Sequence, residues 1–354
     1  MPNELLLIGP RAVTIASRPA RALQPREVRA QAILSGISHG TELNLYRGGS
    51  PFHSQRFDPD LRLFLEDSTC SPYPMPLGYE WVGRVTEVSA EVVGFRPGDL
   101  VHLPVGHRTE HVFPAGEDTM LGPVVPLPPM LTPERAVFLA LAGVALQAVH
   151  DAHIKLGDQV AIFGLGAIGL LALELARLDG AVWLAAVEPL PQRRALAEAR
   201  SADLVLDPGG GDVARAIKAA APRPASASAG VDVAIELSGH YPALQEAIRS
   251  VRVGGVVVAA GYYQGAGAAL RLGAEWHHNR VTMVSSMGVW GCPHRDHPLW
   301  SRGRVHVVAA DLLASGRLHV DDLITHRIPF ARAAEAYRLI DERPHETVKV
   351  ILTY

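Results

Sequence analysis

Cysteine is almost missing from this chain, with Cys70 and Cys292 its two copies in 354 residues. Two isolated thiols cannot build a cysteine-rich metal cage, and a disulfide framework is not how a chain of this length holds its fold. Lysine is nearly as scarce, at Lys155, Lys218 and Lys349, so arginine carries most of the positive charge. The formal net charge of −3 gives no reason to expect nucleic acid or an anionic membrane as a partner. Long hydrophobic runs are absent too. The most apolar stretch, 136–149, is shorter than the roughly 18 residues that a membrane span needs. Thr132-Pro133-Glu134 ahead of it reads as an N-cap, a first-turn proline and a dipole-favoured acid, the start of a buried helix. Met1-Pro2-Asn3-Glu4 lacks the basic stretch and apolar core of a signal peptide, so a cytoplasmic protein is expected. What remains is globular in composition, 48% hydrophobic and 19% charged, and long enough for two domains with their own cores.

The most informative segment is Val160-Ala161-Ile162-Phe163-Gly164-Leu165-Gly166-Ala167-Ile168-Gly169. A short β-type run enters a G-x-G-x-x-G turn, a helical apolar pattern leaves it, and Glu188 closes the next apolar run. In a dinucleotide site Gly164 permits the tight turn, Gly166 admits the pyrophosphate to the backbone, and Gly169 lets the helix pack on the strand. Leu165, Ala167 and Ile168 supply the intervening backbone. The helix N-terminus offers N–H groups and a positive dipole end to phosphate. Glu188 stands where an acid accepts hydrogen bonds from the adenosine ribose. The competing reading is a Gly-rich turn between two buried elements, with Glu188 ending a strand.

Around this segment, helical and short apolar runs alternate: helix 133–149, strand 159–163, helix 167–179, strand 182–187, helix 191–200. Strands 203–206, 231–236 and 255–260 and a helix 242–251 follow. Such alternation predicts a parallel sheet with helices on both faces. The first hundred residues differ. Runs such as Val28–Leu34 and Val82–Val88 alternate and are broken by Gly and Pro, which predicts a small β-barrel. The end of the chain, with Trp290, Trp300, a helix over 331–340 and a strand over 348–352, is expected to fold back onto that first domain. The expected domains are therefore 1–130 with 290–354, and 131–289.

Ser35-Gly36-Ile37-Ser38-His39-Gly40-Thr41-Glu42, Gly78-Tyr79-Glu80-Trp81-Val82-Gly83, Gly94-Phe95-Arg96-Pro97-Gly98-Asp99 and the glycine fingerprint together resemble the medium-chain dehydrogenase/reductases. The likeness covers nearly the whole chain. It implies an α/β protein: a GroES-like β-barrel catalytic domain, a Rossmann doubly wound domain, and an active site in the cleft between them. Zinc members of that superfamily carry cysteine, histidine and cysteine where this chain has Ser38, Tyr79 and Leu141, and a four-cysteine lobe that is absent here. Ser, Tyr and Leu are not ordinary zinc ligands, so no zinc is expected. Ser-Gly-Ile-Ser-x-Gly-Thr-Glu and Trp276-His277-His278-Asn279-Arg280 resemble a zinc-free branch named after bacteriochlorophyllide dehydrogenases.

Without a metal, positioned donors must stabilise charge on the substrate oxygen, and a proton must be exchanged with it. The resemblance places Tyr79 and Ser38 nearest the vacated metal position. Tyr79 either donates to the substrate oxygen or simply fills the void. His39 lies near the nicotinamide ribose by resemblance, and an imidazole can pass a proton to solvent. His107 is a further catalytic candidate on a loop expected to face the cleft, against the alternative of a packing or solvated histidine. Asn44, Tyr46, His277 and His278 are candidate substrate contacts. Ser238, Gly261, Ser286 and Met287, after the fourth, fifth and sixth strands, are candidate cofactor contacts by resemblance.

Glu188 favours NAD over NADP, because a carboxylate repels a 2′-phosphate, although Arg193 and Arg194 could receive one. The expected activity is zinc-independent, NAD(P)-dependent hydride transfer to or from an alcohol or ketone. A large substrate is expected from the aromatic segment 50–76. The alternatives are an enone or quinone reductase and a non-catalytic dinucleotide sensor. A homodimer is the family expectation.

Overall fold

The computed structural model describes residues 1–66, 72–120, 122–200, 202–222, 228–287 and 300–354. Cys70, Cys292, Trp290 and the expected junction at 289/290 lie outside the described residues. The chain separates into two compact units: Met1–Ala140 with Leu313–Ser315 and Val320–Tyr354, and Leu141–Leu312 with Gly316–His319.

The main sheet of the first unit runs in the order Ile324–Pro329, Lys349–Thr353, Glu27–Ile37, Glu80–Val88, Leu100–Leu103, and Glu110–Pro114 also pairs with Glu27–Ile37. Alternation along Glu27–Ile37 turns Val28 and Ala30 inward, where they pack with Trp81, Val85, Leu103 and Phe113. A second cluster joins Leu5, Leu7, Ile37, Leu43, Tyr337 and Leu352. Burial of each such side chain stabilises by about 1.5–3 kcal/mol. The last strand pairs antiparallel with Glu27–Ile37, Val350 opposite Ile37 and Thr353 opposite Leu34.

The second unit holds six strands: β1 (Gln159–Phe163), β2 (Trp183–Val187), β3 (Leu204–Leu206), β4 (Val231–Glu236), β5 (Val251–Ala259) and β6 (Thr282–Ser285). All neighbouring pairs are parallel, in the order β3-β2-β1-β4-β5-β6. All five residues of β2 are buried, as are Val160 to Phe163 in β1. Strands covered on both faces lose the polar alternation of a half-exposed sheet and read as continuous apolar runs. The order reverses at β1, the topological switch point of a doubly wound fold. The protein is thus α/β, a GroES-like β-barrel unit and a Rossmann unit.

One element differs from expectation. The helix read over 133–149 is two, Pro133–Ala136 and Leu139–Ala152. At their junction the Phe138 N–H donates to the Arg135 carbonyl, a tighter turn than an α-helix makes. Among the described residues no helix is long and apolar enough to cross a membrane.

Candidate functional site

The C-terminal edge of the parallel sheet gathers the glycine loop and Glu188. Gly164 has φ +86°, and a Cβ there would stand 2.7 Å from the Ser238 backbone N, so only glycine fits the turn. A Cβ on Gly169 would enter the Gly164 carbonyl, which is how closely helix Ala167–Asp179 meets the turn. Gly166 caps that helix with no side-chain hydrogen bond, leaving first-turn N–H groups for an anion. The Arg193 guanidinium lies 4.0 Å from where a Gly166 Cβ would be, which adds positive charge at the same point. Burial pulls its pKa down, and neighbouring Glu188 pushes it up.

Glu188 is 3% exposed. Its Oε2 accepts the Leu165 N–H at 2.7 Å and its Oε1 the Leu190 N–H at 3.1 Å, so the carboxylate bridges the glycine loop and the turn after β2. Arg194 is directed elsewhere, donating to the Glu188 and Pro189 carbonyls and pairing with Asp207 at 3.1 Å. Ser238 and Gly261 follow β4 and β5 at this edge. The Ser286 N–H donates to the Ala259 carbonyl at 3.1 Å, and neighbouring Met287 is exposed.

In the first unit, Ser38 follows strand Glu27–Ile37 and Tyr79 precedes strand Glu80–Val88. The register that sets Gly36 opposite Glu80 brings the two together. Ser38 Oγ and the Tyr79 hydroxyl are 2.6 Å apart. Burial, helped by the Glu80 charge, pushes the Tyr79 phenol well above its ordinary pKa, so it stays neutral and can donate. His39, half-buried, comes directly after Ser38.

A buried network supports the pair. Ser38 N–H donates to Glu42 Oε1 at 2.7 Å, and Glu42 Oε2 accepts from the Tyr337 hydroxyl and faces His107 Nε2 at 3.0 Å. His107 Nδ1 lies 2.7 Å from Ser35 Oγ, which is 2.9 Å from the Tyr354 hydroxyl. Nearby, Glu80 and Lys349 form an ion pair with both side chains at most 1% exposed, and Lys349 Nζ also donates to the Ile37 carbonyl at 3.0 Å.

Comparison with known proteins decides what this arrangement belongs to. The zinc-binding dehydrogenase family model matches residues 167–296. D-guloside 3-dehydrogenase of Escherichia coli (strain K12) is 30% identical, over 99% of this chain and 100% of its own length. The chain belongs to the medium-chain dehydrogenase/reductase superfamily. The (R,R)-butanediol dehydrogenase of Bacillus subtilis (strain 168) is 28% identical over 85% of this chain and 88% of its own. The crystal structure of 2R,3R-butanediol dehydrogenase from Bacillus subtilis superposes with a TM-score of 0.78, covering 100% of both chains at 23% identity. This medium-chain dehydrogenase is an NAD(P)-dependent oxidoreductase of CH–OH or C=O groups on small-molecule substrates.

The glycine loop, Glu188 and the uncapped helix fit a dinucleotide. The positions that the family resemblance aligns with zinc ligands hold two mutually bonded hydroxyls, Ser38 and Tyr79, and Leu141, 3% exposed. That is not a zinc donor set. Among the described residues no group of three or more His, Cys, Asp or Glu is arranged to hold a metal ion.

Four candidate site residues, His107, Tyr46, His277 and His278, lie away from the Ser38–Tyr79 pair or the dinucleotide edge in this dehydrogenase. His107, read as a catalytic candidate on a loop facing the cleft or else as a packing or solvated histidine, has a side chain 1% exposed, which favours packing. Backbone bonds from His107 N–H to the Leu77 carbonyl and from Leu5 N–H to the His107 carbonyl hold the segment inward. Tyr46 sits in the core with its ring 5.3 Å from that of Tyr337, because helix Thr41–Arg47 turns Leu43 and Tyr46 to the same buried side. His277 and His278 are exposed and lie just before β6, at the N-terminal edge of the sheet. The Asn279 carbonyl there accepts from Gly254, near the start of β5. In a parallel sheet this is the edge away from the glycine loop, so they do not line the dinucleotide side. Asn44 remains on helix Thr41–Arg47, half-buried.

Sequence reading passed over Glu236 and Tyr263. Glu236 carried the same signal as Glu188, an acid closing an apolar strand, and Tyr263 had no local signal.

Proposed function

We propose that this chain is a zinc-independent, NAD(H)-preferring dehydrogenase that oxidises a secondary alcohol of a sugar-sized or larger substrate, or reduces the matching ketone. The observation that carries this reading is the 2.6 Å bond between Ser38 Oγ and the Tyr79 hydroxyl, two residues that the family resemblance aligns with zinc ligands. Similarity to D-guloside 3-dehydrogenase supports a hydroxyl on a glycoside-like ring as the substrate group. Glu188 at the end of β2 supports NAD, since a second negative charge would repel a 2′-phosphate.

The bound nicotinamide supplies the hydride acceptor or donor. The chain's own groups handle charge and proton. Ser38, Tyr79 and Thr41, whose side chain also hydrogen-bonds the Tyr79 phenol, carry three O–H groups for two mutual bonds, which leaves one O–H for the substrate oxygen. Donors aimed at a developing alkoxide stabilise it without reorganisation. A phenol held neutral remains a donor throughout. Even with its raised pKa it is more acidic than an alkyl alcohol, so in the reductive direction it can protonate the alkoxide. His39 beside Ser38 is the group we assign to passing that proton onward. His107 acts on this pair through Glu42, and Asn44 is assigned to the substrate. We further read the protein as a homodimer joined through β6, the outer strand of the sheet, whose Thr282, Met283 and Ser285 are exposed.

The test is a panel of glycosides, polyols, ketones and enones with NAD(H) and NADP(H), together with metal analysis. Turnover of secondary alcohols with NAD⁺ and zinc far below one per chain are expected. Tyr79→Phe should lower kcat by about 10²–10³-fold, the loss typical of one oxyanion donor. An unchanged rate removes Tyr79 from the role, stoichiometric zinc overturns the metal-free mechanism, and turnover of enones alone moves the assignment to a reductase of activated double bonds. No turnover at all favours a sensor.

A further inference from the structure

The dinucleotide edge holds a second buried acid with no part in the chemistry above. Glu236, the last residue of β4, is 0% exposed. Its Oε1 accepts the Ser238 N–H at 2.7 Å and the Ser238 hydroxyl. Its Oε2 accepts the Gly239 N–H at 3.2 Å and the Tyr263 hydroxyl. Its backbone carbonyl also takes the Ala260 and Gly261 N–H groups at 2.9 and 3.0 Å. One residue therefore ties the loop after β4 to the loop after β5. The two loops touch: a Cβ on Gly261 would fall 2.5 Å from Gly239 Cα and 2.8 Å from Glu236 Oε2.

A carboxylate with no hydrogen-bonded cation is expensive to bury, and an apolar strand end would stabilise the sheet more cheaply. Four donors converging on one carboxylate offset that cost and give something an apolar residue cannot, a fixed geometry for two loops at once. Burial nonetheless holds the Glu236 pKa above the usual carboxylate range.

Strand order identifies what those loops serve. The switch point divides the sheet into two mononucleotide-binding halves. Glu188 and the turn after β2 belong to the adenosine half. The loops after β4 and β5 lie on the other side of β1, the half that takes the nicotinamide nucleotide. We propose that Glu236, with Tyr263, is a positioning residue that fixes the loops holding the nicotinamide half of the bound dinucleotide. The proposal rests on the dinucleotide assignment above and is independent of the metal-free mechanism.

The experiment compares NADH, titrated by its fluorescence, with ADP, titrated by calorimetry, on wild type, Glu236→Gln and Tyr263→Phe. Glutamine would turn an N–H toward groups that are themselves donors, so the NADH Kd of Glu236→Gln should rise about tenfold, consistent with charged hydrogen bonds of this kind. Tyr263→Phe removes one donor of four, and a rise of about threefold is expected. ADP, which lacks the nicotinamide nucleotide, should bind all three proteins alike. An equal loss for ADP and NADH would make Glu236 a general structural residue and overturn the proposal, as would unchanged NADH binding in both variants. Should Glu236→Gln not fold, the NADH-to-ADP contrast in Tyr263→Phe decides. Wild type binding neither ligand would overturn the dinucleotide assignment and the proposal together, a result distinct from every other.

Discussion

Replacing Lys349 by methionine should destabilise the first unit by about 3–5 kcal/mol, the usual consequence of removing one partner from a buried ion pair. Lys349 and Glu80 are 1% and 0% exposed as side chains, so water screens neither. Methionine fills much of the same volume, so what is lost is the amine: its pairing with Glu80 and its bond to the Ile37 carbonyl. The substitution leaves Glu80 with a carboxylate that burial already pushes above its ordinary pKa and that Lys349 alone among its larger partners pulls strongly down. The pH dependence follows in sign. A carboxyl whose folded pKa exceeds its unfolded value contributes its stability fully below the unfolded pKa and loses it as pH rises through the folded one. The deficit of Lys349→Met should therefore be larger at pH 8 than at pH 5. Urea denaturation followed by tryptophan fluorescence measures it, with Trp81 fully buried in the same unit. Adding Glu80→Gln should recover most of the loss, because a neutral amide no longer carries an unpaired charge. A cost of less than about 1 kcal/mol for Lys349→Met, the range of a surface pair, would refute this account of the pair. So would a deficit that ignores pH, or a double variant no better than the single.

Three further outcomes are expected. Gly164→Ala combines a φ of +86° with a clash on Ser238, and should weaken NADH binding by more than about tenfold in a fluorescence titration, since the turn must open. Tyr337→Phe takes a hydroxyl donor from buried Glu42 and should cost about 1–3 kcal/mol in urea denaturation, with a fall in kcat through the displaced Ser38. Burial, with help from the Arg108 charge, lowers the His111 pKa to about 4. Folding then excludes a proton that the unfolded chain binds below its ordinary value of 6.5, so stability falls as pH drops from there toward about 4. His111→Phe should flatten that stretch of a stability–pH curve, and an unchanged slope would assign the acid sensitivity to other groups.

The parts of this protein legible in its sequence are those written within a few neighbouring residues. β4 reads over its full length in the sequence, and β1 and the helix Ala167–Asp179 with it, because short apolar runs and one long apolar run behind a glycine turn are visible in a short window. The glycine fingerprint is equally local: three missing side chains within six residues. His107 shows the opposite case. A histidine after Pro-Val-Gly looks like a loop residue until a backbone bond to Leu77 and a carboxylate from Glu42, both distant in the chain, are supplied by the fold. His277 and His278 read as candidate substrate contacts in the sequence, and only the strand order, which puts them just before β6, moves them to the edge away from the glycine loop.

Local periodicity and glycine placement were enough for the α/β class and the dinucleotide fingerprint. Their physical basis, steric freedom at single residues and burial of one face of one element, needs no distant partner. The pairing of Ser38 with Tyr79, the Lys349 amine reaching Glu80 across 269 positions, and the Glu236 clasp on two loops belong to the folded chain. Each depends on strand register and on the order in which strands meet, and these are settled by the packing of the whole core.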